Sequence, residues 1–244
     1  MSANVFNLFF FVGLPYAALI VCTVGIVYRY RRRGFTVSSL SSQFLEGKEL
    51  FWGSVPFHVG ILVVFCGHLA TFLFPRTTLA WNSMPVRLII LEVTAFTFGV
   101  TVLIGLAALM YRRFTNHRIR SVTSVMDIVL EVLLLLQVIL GLWIALGYRW
   151  GASWFASDLS PYLWSIFKLR PDTAAVFVLP WVIKAHIIGA FTIILILPFT
   201  RLIHFFVAPL HYIARPYQQV IWNWDRRAIR DPATAWSPTR PRND

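Results

Sequence analysis

Four histidines lie inside strongly apolar stretches of the chain: His58 and His68 in one, His186 and His204 in another. An imidazole in a lipid-spanning helix is costly without a partner, so four of them at these positions point to ligation. One such residue could simply hydrogen-bond between helices; four together fit that role poorly. Neutral imidazole also binds zinc and copper, but no carboxylate or cysteine stands beside these histidines to complete such a site. Two axial histidines per haem iron account for the set better. Two antiparallel helices with two histidines each would hold two non-covalent b haems, one near each membrane face. Electrons could then cross a bilayer. Covalent c-type attachment is excluded, because the only cysteines, Cys22 and Cys66, form no Cys-x-x-Cys-His motif and no iron–sulfur array. Each sits in an apolar run and is expected to be a small buried side chain.

The elements that position the histidines follow from composition. Of 244 residues, 58% are hydrophobic and 13% charged, the profile of a polytopic membrane protein. Apolar runs predict five spans, at about residues 5–27 (with Pro15 inside it), 54–74, 88–110, 125–147 and 177–207, each long enough for about 30 Å of hydrocarbon. The expected fold is therefore an all-α membrane protein, a five-transmembrane-helix bundle. Residues 1–207 form the membrane domain and 208–244 a tail. No soluble catalytic domain fits in what remains. MSANVFN leads straight into the first run without a basic n-region or a small-residue cleavage site, so that run is expected to be retained as a helix.

The formal net charge of +12 does not indicate nucleic-acid binding, because the basic residues fall in loops and at helix ends. They report orientation instead. Arg29, Arg31, Arg32, Arg33 and Lys48 follow the first span, Arg112, Arg113, Arg118 and Arg120 the third, and six arginines lie in the tail between Arg215 and Arg242. The second loop has only Arg76 and Arg87, and the fourth only Arg149, Lys168 and Arg170. The positive-inside rule thus places the N-terminus outside and the C-terminus in the cytoplasm. Trp52, Trp81, Trp150, Trp181 and several tyrosines mark the interfaces, and the stretch around Trp154, Tyr162 and Phe167 is expected to form a short helix on the outer surface. The tail interleaves proline, tryptophan and arginine; residues 208–230 are expected to dock on soluble partner subunits, and the last dozen to be disordered.

In this topology His58 pairs with His204 at the inner side and His68 with His186 at the outer. The rise does not match: ten residues between the first two advance about 15 Å, eighteen between the second two about 27 Å. Helix tilt, the haem planes and a bend at Pro198 would have to absorb the difference. Gly60, Gly67, Gly99, Gly105, Gly141 and Gly189 could admit a flat macrocycle or serve helix packing. Arg112, Arg113 and Arg201 are candidates for the haem propionates, although arginines are common at inner faces. Asp127 and Glu131, one turn apart, are expected to hydrogen-bond between helices, with Arg120 or Gln137 as candidate partners; a proton relay is the alternative. Glu92 is the remaining buried acid, and His117 and His211 are expected at the surface.

Several motifs support a family resemblance: Ser41-Ser42-Gln43, FHVGIL from Phe57 to Leu62, Gly67-His68, Tyr111-Arg112-Arg113, Arg118-Ile119-Arg120, Met126-Asp127-Ile128, QVILGL from Gln137 to Leu142, PFTRLIH from Pro198 to His204 and APLHY from Ala208 to Tyr212. From residue 1 to about 220 the chain resembles the gamma subunit of membrane-bound respiratory nitrate reductase, a dihaem cytochrome b subunit. The resemblance implies His58 and His204 as ligands of the inner haem iron, and His68 and His186 of the outer. It implies quinol as substrate, at a site near Gly67, His68 and the start of the third span, where Arg87 stands in place of the family's lysine. It further implies an iron–sulfur electron-transfer subunit and a molybdenum catalytic subunit as cytoplasmic partners, and a location in a bacterial or archaeal cell (inner) membrane. Nitrate chemistry would then lie on a partner subunit. Two other readings are a cytochrome b subunit of a sulfur-metabolism or heterodisulfide-type complex, and a haem-free membrane anchor.

Overall fold

A computed structural model describes residues 3–34, 37 and 45–207. The expectations for the tail, His211 and Ser41–Gln43 fall outside these residues. Among the described residues five helices are long and apolar enough to cross a membrane: α1 Val5–Arg33, α2 Lys48–Leu73, α3 Pro85–Thr115, α4 Val125–Gly147 and α5, which begins the span Trp181–Phe199. No strand occurs among the described residues. Apolar side chains such as Ile20, Val24, Ile90, Val93 and Ile104 are exposed on these helices, as a lipid-facing surface requires. Trp52, Trp81, Trp150 and Trp181 are exposed as well, at the places expected of an interfacial belt.

The helices differ from the hydropathy runs mainly at their ends. α1 continues to Arg33 and α3 to Thr115, because cations in a last turn suit the helix dipole and the backbone ladder does not stop where the apolar residues do. α4 starts where sequence places it. Ser124 is its N-cap: the Ser124 hydroxyl accepts the Asp127 N–H (3.2 Å), and the Asp127 carboxylate accepts the Ser124 N–H (2.9 Å). This reciprocal pair satisfies two orphan donors at the helix start.

α2 and α3 pack backbone to backbone through glycines. A Cβ on Gly60 would lie 2.7 Å from Val102 and 2.8 Å from the Phe98 carbonyl, and one on Gly105 would lie 2.5 Å from the Phe57 nitrogen. Gly60 and Gly105 thus act as small residues at a membrane helix interface. Gly99 likewise takes up a Leu142 side chain from α4.

Two prolines shape the rest. Pro15 has no N–H for the Phe11 carbonyl, and the turn Phe9–Gly13 widens to a π-helix. The Tyr162 hydroxyl donates to that Phe11 oxygen (2.9 Å). Tyr162 belongs to the short helix Ser160–Phe167, which was expected to lie on the surface. Instead its inner face is built into the bundle: Leu159, Tyr162 and Ile166 are buried with Phe11, Val182 and Ile183. The Ser160 hydroxyl donates to the Thr71 carbonyl, and the Tyr16 hydroxyl to that of Ile166. Burial, with Tyr16 nearby, pushes the Tyr162 phenol up, so it remains a donor.

Pro198 ends the fifth helix. α5 runs Trp181–Ile196, a 3-10 turn follows at Leu197–Phe199, Thr200 is extended, and a second 3-10 stretch covers Arg201–Val207. The continuous helix expected over 177–207 is therefore broken. Proline lacks the N–H and its ring crowds the carbonyl four residues back. Freed acceptors find a donor in Arg29, whose Nη1 bonds the carbonyls of Pro198 (2.8 Å) and Thr200 (3.1 Å).

Candidate metal centres

The break brings His204 opposite His58. Their ring centroids lie 6.1 Å apart at an interplanar angle of 62°. Two imidazole nitrogens bound to opposite sides of one metal, at about 2 Å each, place ring centroids about 6 Å apart. The Phe155 ring lies 5.6 Å from that of His68. Of the two pairings expected from the antiparallel arrangement, His58 and His204 are neighbours in the fold. The rise expected of one straight helix does not apply to His204, because α5 ends at Ile196 and Thr200 is extended.

The second nitrogen of each ring is informative. Nδ1 of His58 lies 2.7 Å from the Ser54 carbonyl, Nδ1 of His68 2.8 Å from that of Val64, and Nδ1 of His204 2.7 Å from that of Arg201. A carbonyl only accepts, so each Nδ1 carries the proton and each Nε2 keeps its lone pair. Backbone carbonyls commonly orient metal-ligating histidines in this way. The Ser54 hydroxyl adds a contact at 3.1 Å to His58. Ser54 was not foreseen as part of the site, although its place one turn before His58 is visible in the sequence.

His186 is different. Its Nδ1 is buried without a hydrogen-bond partner. Such an atom is uncommon in folded proteins and suits a group supplied from outside the chain. Its ring packs on Gly141 of α4, where a Cβ would come within 3.2 Å of Cε1. The Gln137 amide, one turn away, donates to the His186 carbonyl (3.0 Å). Gly67, beside His68, has nothing within 4 Å of where a Cβ would stand. So Gly141 and Gly67 leave space at the histidines, while Gly60, Gly99 and Gly105 are taken by helix packing.

No group of three or more histidine, cysteine or acidic side chains gathers among the described residues. Two protein ligands per metal, with a planar macrocycle supplying the others, fits this donor set better than a zinc or copper site. Haem is thus compatible with the residues present.

The three candidate propionate arginines have carboxylate neighbours. Arg112 Nε bonds Glu46 (2.6 Å), Arg113 Nε bonds Glu131 (2.7 Å), and Arg201 Nε bonds Asp127 (2.9 Å). The partners of Asp127 and Glu131 are therefore arginines of α3 and of the segment after α5, rather than Arg120 or Gln137. Partial burial pushes Glu46 up, but Arg112 and the N–H groups of Glu49 and Leu50 outweigh it and hold its carboxyl below the usual range. Arg87, at the start of α3, lies over the Trp81 ring at 5.1 Å. Glu92 accepts the Ala152 N–H (2.9 Å), and His117 is exposed.

Fold and site together define a class, a helical protein with five candidate membrane spans and histidines set within and beside them. The family model for the nitrate reductase gamma subunit matches residues 7–223. The respiratory nitrate reductase 2 gamma chain of Escherichia coli is 34% identical over 88% of this chain and 96% of its own length. The nitrate reductase gamma chain of Bacillus subtilis is 31% identical over 84% and 93%. A second E. coli relative, the respiratory nitrate reductase 1 gamma chain, is 31% identical over 88% and 96%. The chain belongs to the nitrate reductase gamma subunit family.

Proposed function

We propose that this chain is the quinol-oxidising dihaem cytochrome b subunit of a membrane-bound respiratory nitrate reductase. It passes electrons from membrane quinol through two b haems to a cytoplasmic iron–sulfur subunit, and so to a molybdenum subunit that reduces nitrate. The observation that carries this reading is the pair His58 and His204, 6.1 Å apart, with each Nδ1 held on a backbone carbonyl. Family membership favours nitrate reductase over sulfur or heterodisulfide complexes, and over a haem-free anchor.

The ligand sets are His58 with His204 at the cytoplasmic side and His68 with His186 at the outer side, given an outside N-terminus and a cytoplasmic tail in a bacterial or archaeal inner membrane. When bound, haem supplies a one-electron iron couple whose potential the protein tunes. The backbone carbonyls of Ser54, Val64 and Arg201 fix ring orientation and make the ligating nitrogens more basic. Arg112, Arg113 and Arg201 serve propionates alongside their carboxylates, which five donors per guanidinium permit. Quinol binds near Gly67, His68 and Arg87, and its protons leave to the outer side. Arg87 keeps the positive charge of the family's lysine but not its compact ammonium. The tail from Ala208 docks on the soluble subunits.

The test uses membranes containing the whole complex. His58→Ala is expected to leave b-type absorbance that quinol reduces and nitrate no longer reoxidises. Fast reoxidation by nitrate in that variant would contradict the proposed order. Purification of the native complex should bring down iron–sulfur and molybdenum subunits; a sulfur-enzyme partner would replace this reading.

A further inference from the structure

His204 sits on an isolated turn. Its segment, Arg201–Val207, follows an extended residue, Thr200, so the backbone ladder of α5 does not hold it in place. On the near side of the break, Arg29 secures the carbonyls of Pro198 and Thr200. On the far side the tie is Arg201. Its Nε bonds Asp127 Oδ1 at 2.9 Å, and its Nη2 donates to the Val122 carbonyl at 3.0 Å. Arg201 is thereby gripped at two points, by the start of α4 and by the turn just before it. The carbonyl of the same residue accepts Nδ1–H of His204 at 2.7 Å.

We propose that Asp127 is a positioning residue for His204: through Arg201 it holds the turn that presents the imidazole to His58. Asp127 is itself fixed. It is buried, its Oδ2 is held by the Ser124 N–H in the capping box, and Arg113 of α3 stands 3.9 Å away. The other oxygen is then directed at Arg201 by a short charge-assisted bond (2.9 Å), which is geometrically specific. The chain of contact runs from Asp127 to the Arg201 side chain, and through the Arg201 backbone carbonyl to the His204 ring. Outer-sphere partners of this kind set ligand orientation and strongly influence metal affinity.

The inference rests on the His58/His204 pairing, and the experiment separates the two. In the purified complex, b haem per chain is measured by pyridine haemochrome and the ligation state of each haem by low-temperature EPR. His204→Ala should remove one haem of two; retention of both would refute the pairing itself. Asp127→Ala should lose the inner low-spin signal or convert it to high spin, with the outer signal unchanged. Ser124→Ala, which removes the cap hydroxyl but leaves Arg201 gripped, should keep both native signals. Unchanged signals in Asp127→Ala, or the same loss in Ser124→Ala, would overturn the proposal. Should Asp127→Ala not accumulate, Asp127→Asn retains the shape and weakens the grip. It should shift the inner signal alone, and an unaltered inner signal in that variant counts against the role.

Discussion

His58, His68 and His204 each commit Nδ1–H to a carbonyl of their own turn, which leaves Nε2 as the ligating atom at three of four positions. The fourth, His186, is shaped by what lies against it. Gly141→Leu should push a side chain into the His186 ring and cost the chain one b haem, while Gly34→Leu, where a Cβ meets nothing, should keep both. Haem content of the purified variants checks this. His68→Ala or His186→Ala should likewise lose one haem and abolish quinol oxidation; two haems retained in either would refute that pair. Glu46 gives a pH effect of known sign. Its folded pKa is lowered, so the Arg112 pair contributes fully above the unfolded glutamate value, about 4.3, and is lost as pH falls through the lower folded value. Glu46→Gln should remove that part of the acid sensitivity, measured as thermal stability in detergent against pH.

Among the elements, the broken fifth helix matters most, because it turns a mismatch of rise into a facing pair of imidazoles. Pro198 announces a bend in the sequence, but the extended Thr200 and the 3-10 turn depend on Arg29 arriving from α1, a long-range contact no local pattern encodes. The start of α4 was legible to the residue, because the Ser124–Asp127 box is a local motif. The burial of Ser160–Phe167 was not, because its apolar face looks alike whether it meets lipid or a protein core. What decides it is a carbonyl orphaned by Pro15 on a distant helix and met by Tyr162. Tyr162→Phe removes that donor and leaves a buried acceptor, which should cost about 1–3 kcal/mol and lower the unfolding temperature of the membrane domain. An unchanged transition would show that the bond contributes nothing. The α2–α3 contact makes a similar demand: Gly105→Val must separate two backbones and should destabilise by about 1–3 kcal/mol, seen as a lower unfolding temperature.

For the whole molecule, the proposed arrangement is two histidine pairs carried by a bundle with five candidate spans. The spans and the family were within reach of the sequence, because each leaves a strong periodic or motif signature. The partners of the buried charges were not, since Arg113–Glu131 and Arg201–Asp127 join separate elements. Under the proposed topology, with the N-terminus outside, a reporter enzyme fused after residue 244 should be active only in the cytoplasm; periplasmic activity would reverse the proposed direction of electron flow. An electron crossing against 100 mV costs about 2.3 kcal/mol, so the proposed transfer from the outer pair to the inner requires a drop in redox energy larger than this. The central claim is that four histidines hold two haems, and it meets its most direct test in the b haem content of the purified chain, with low-temperature EPR of the same sample. The account predicts two low-spin, bis-histidine haems per chain. A chain with none, or one whose haem count is unchanged when His58, His68, His186 and His204 are replaced, would contradict it.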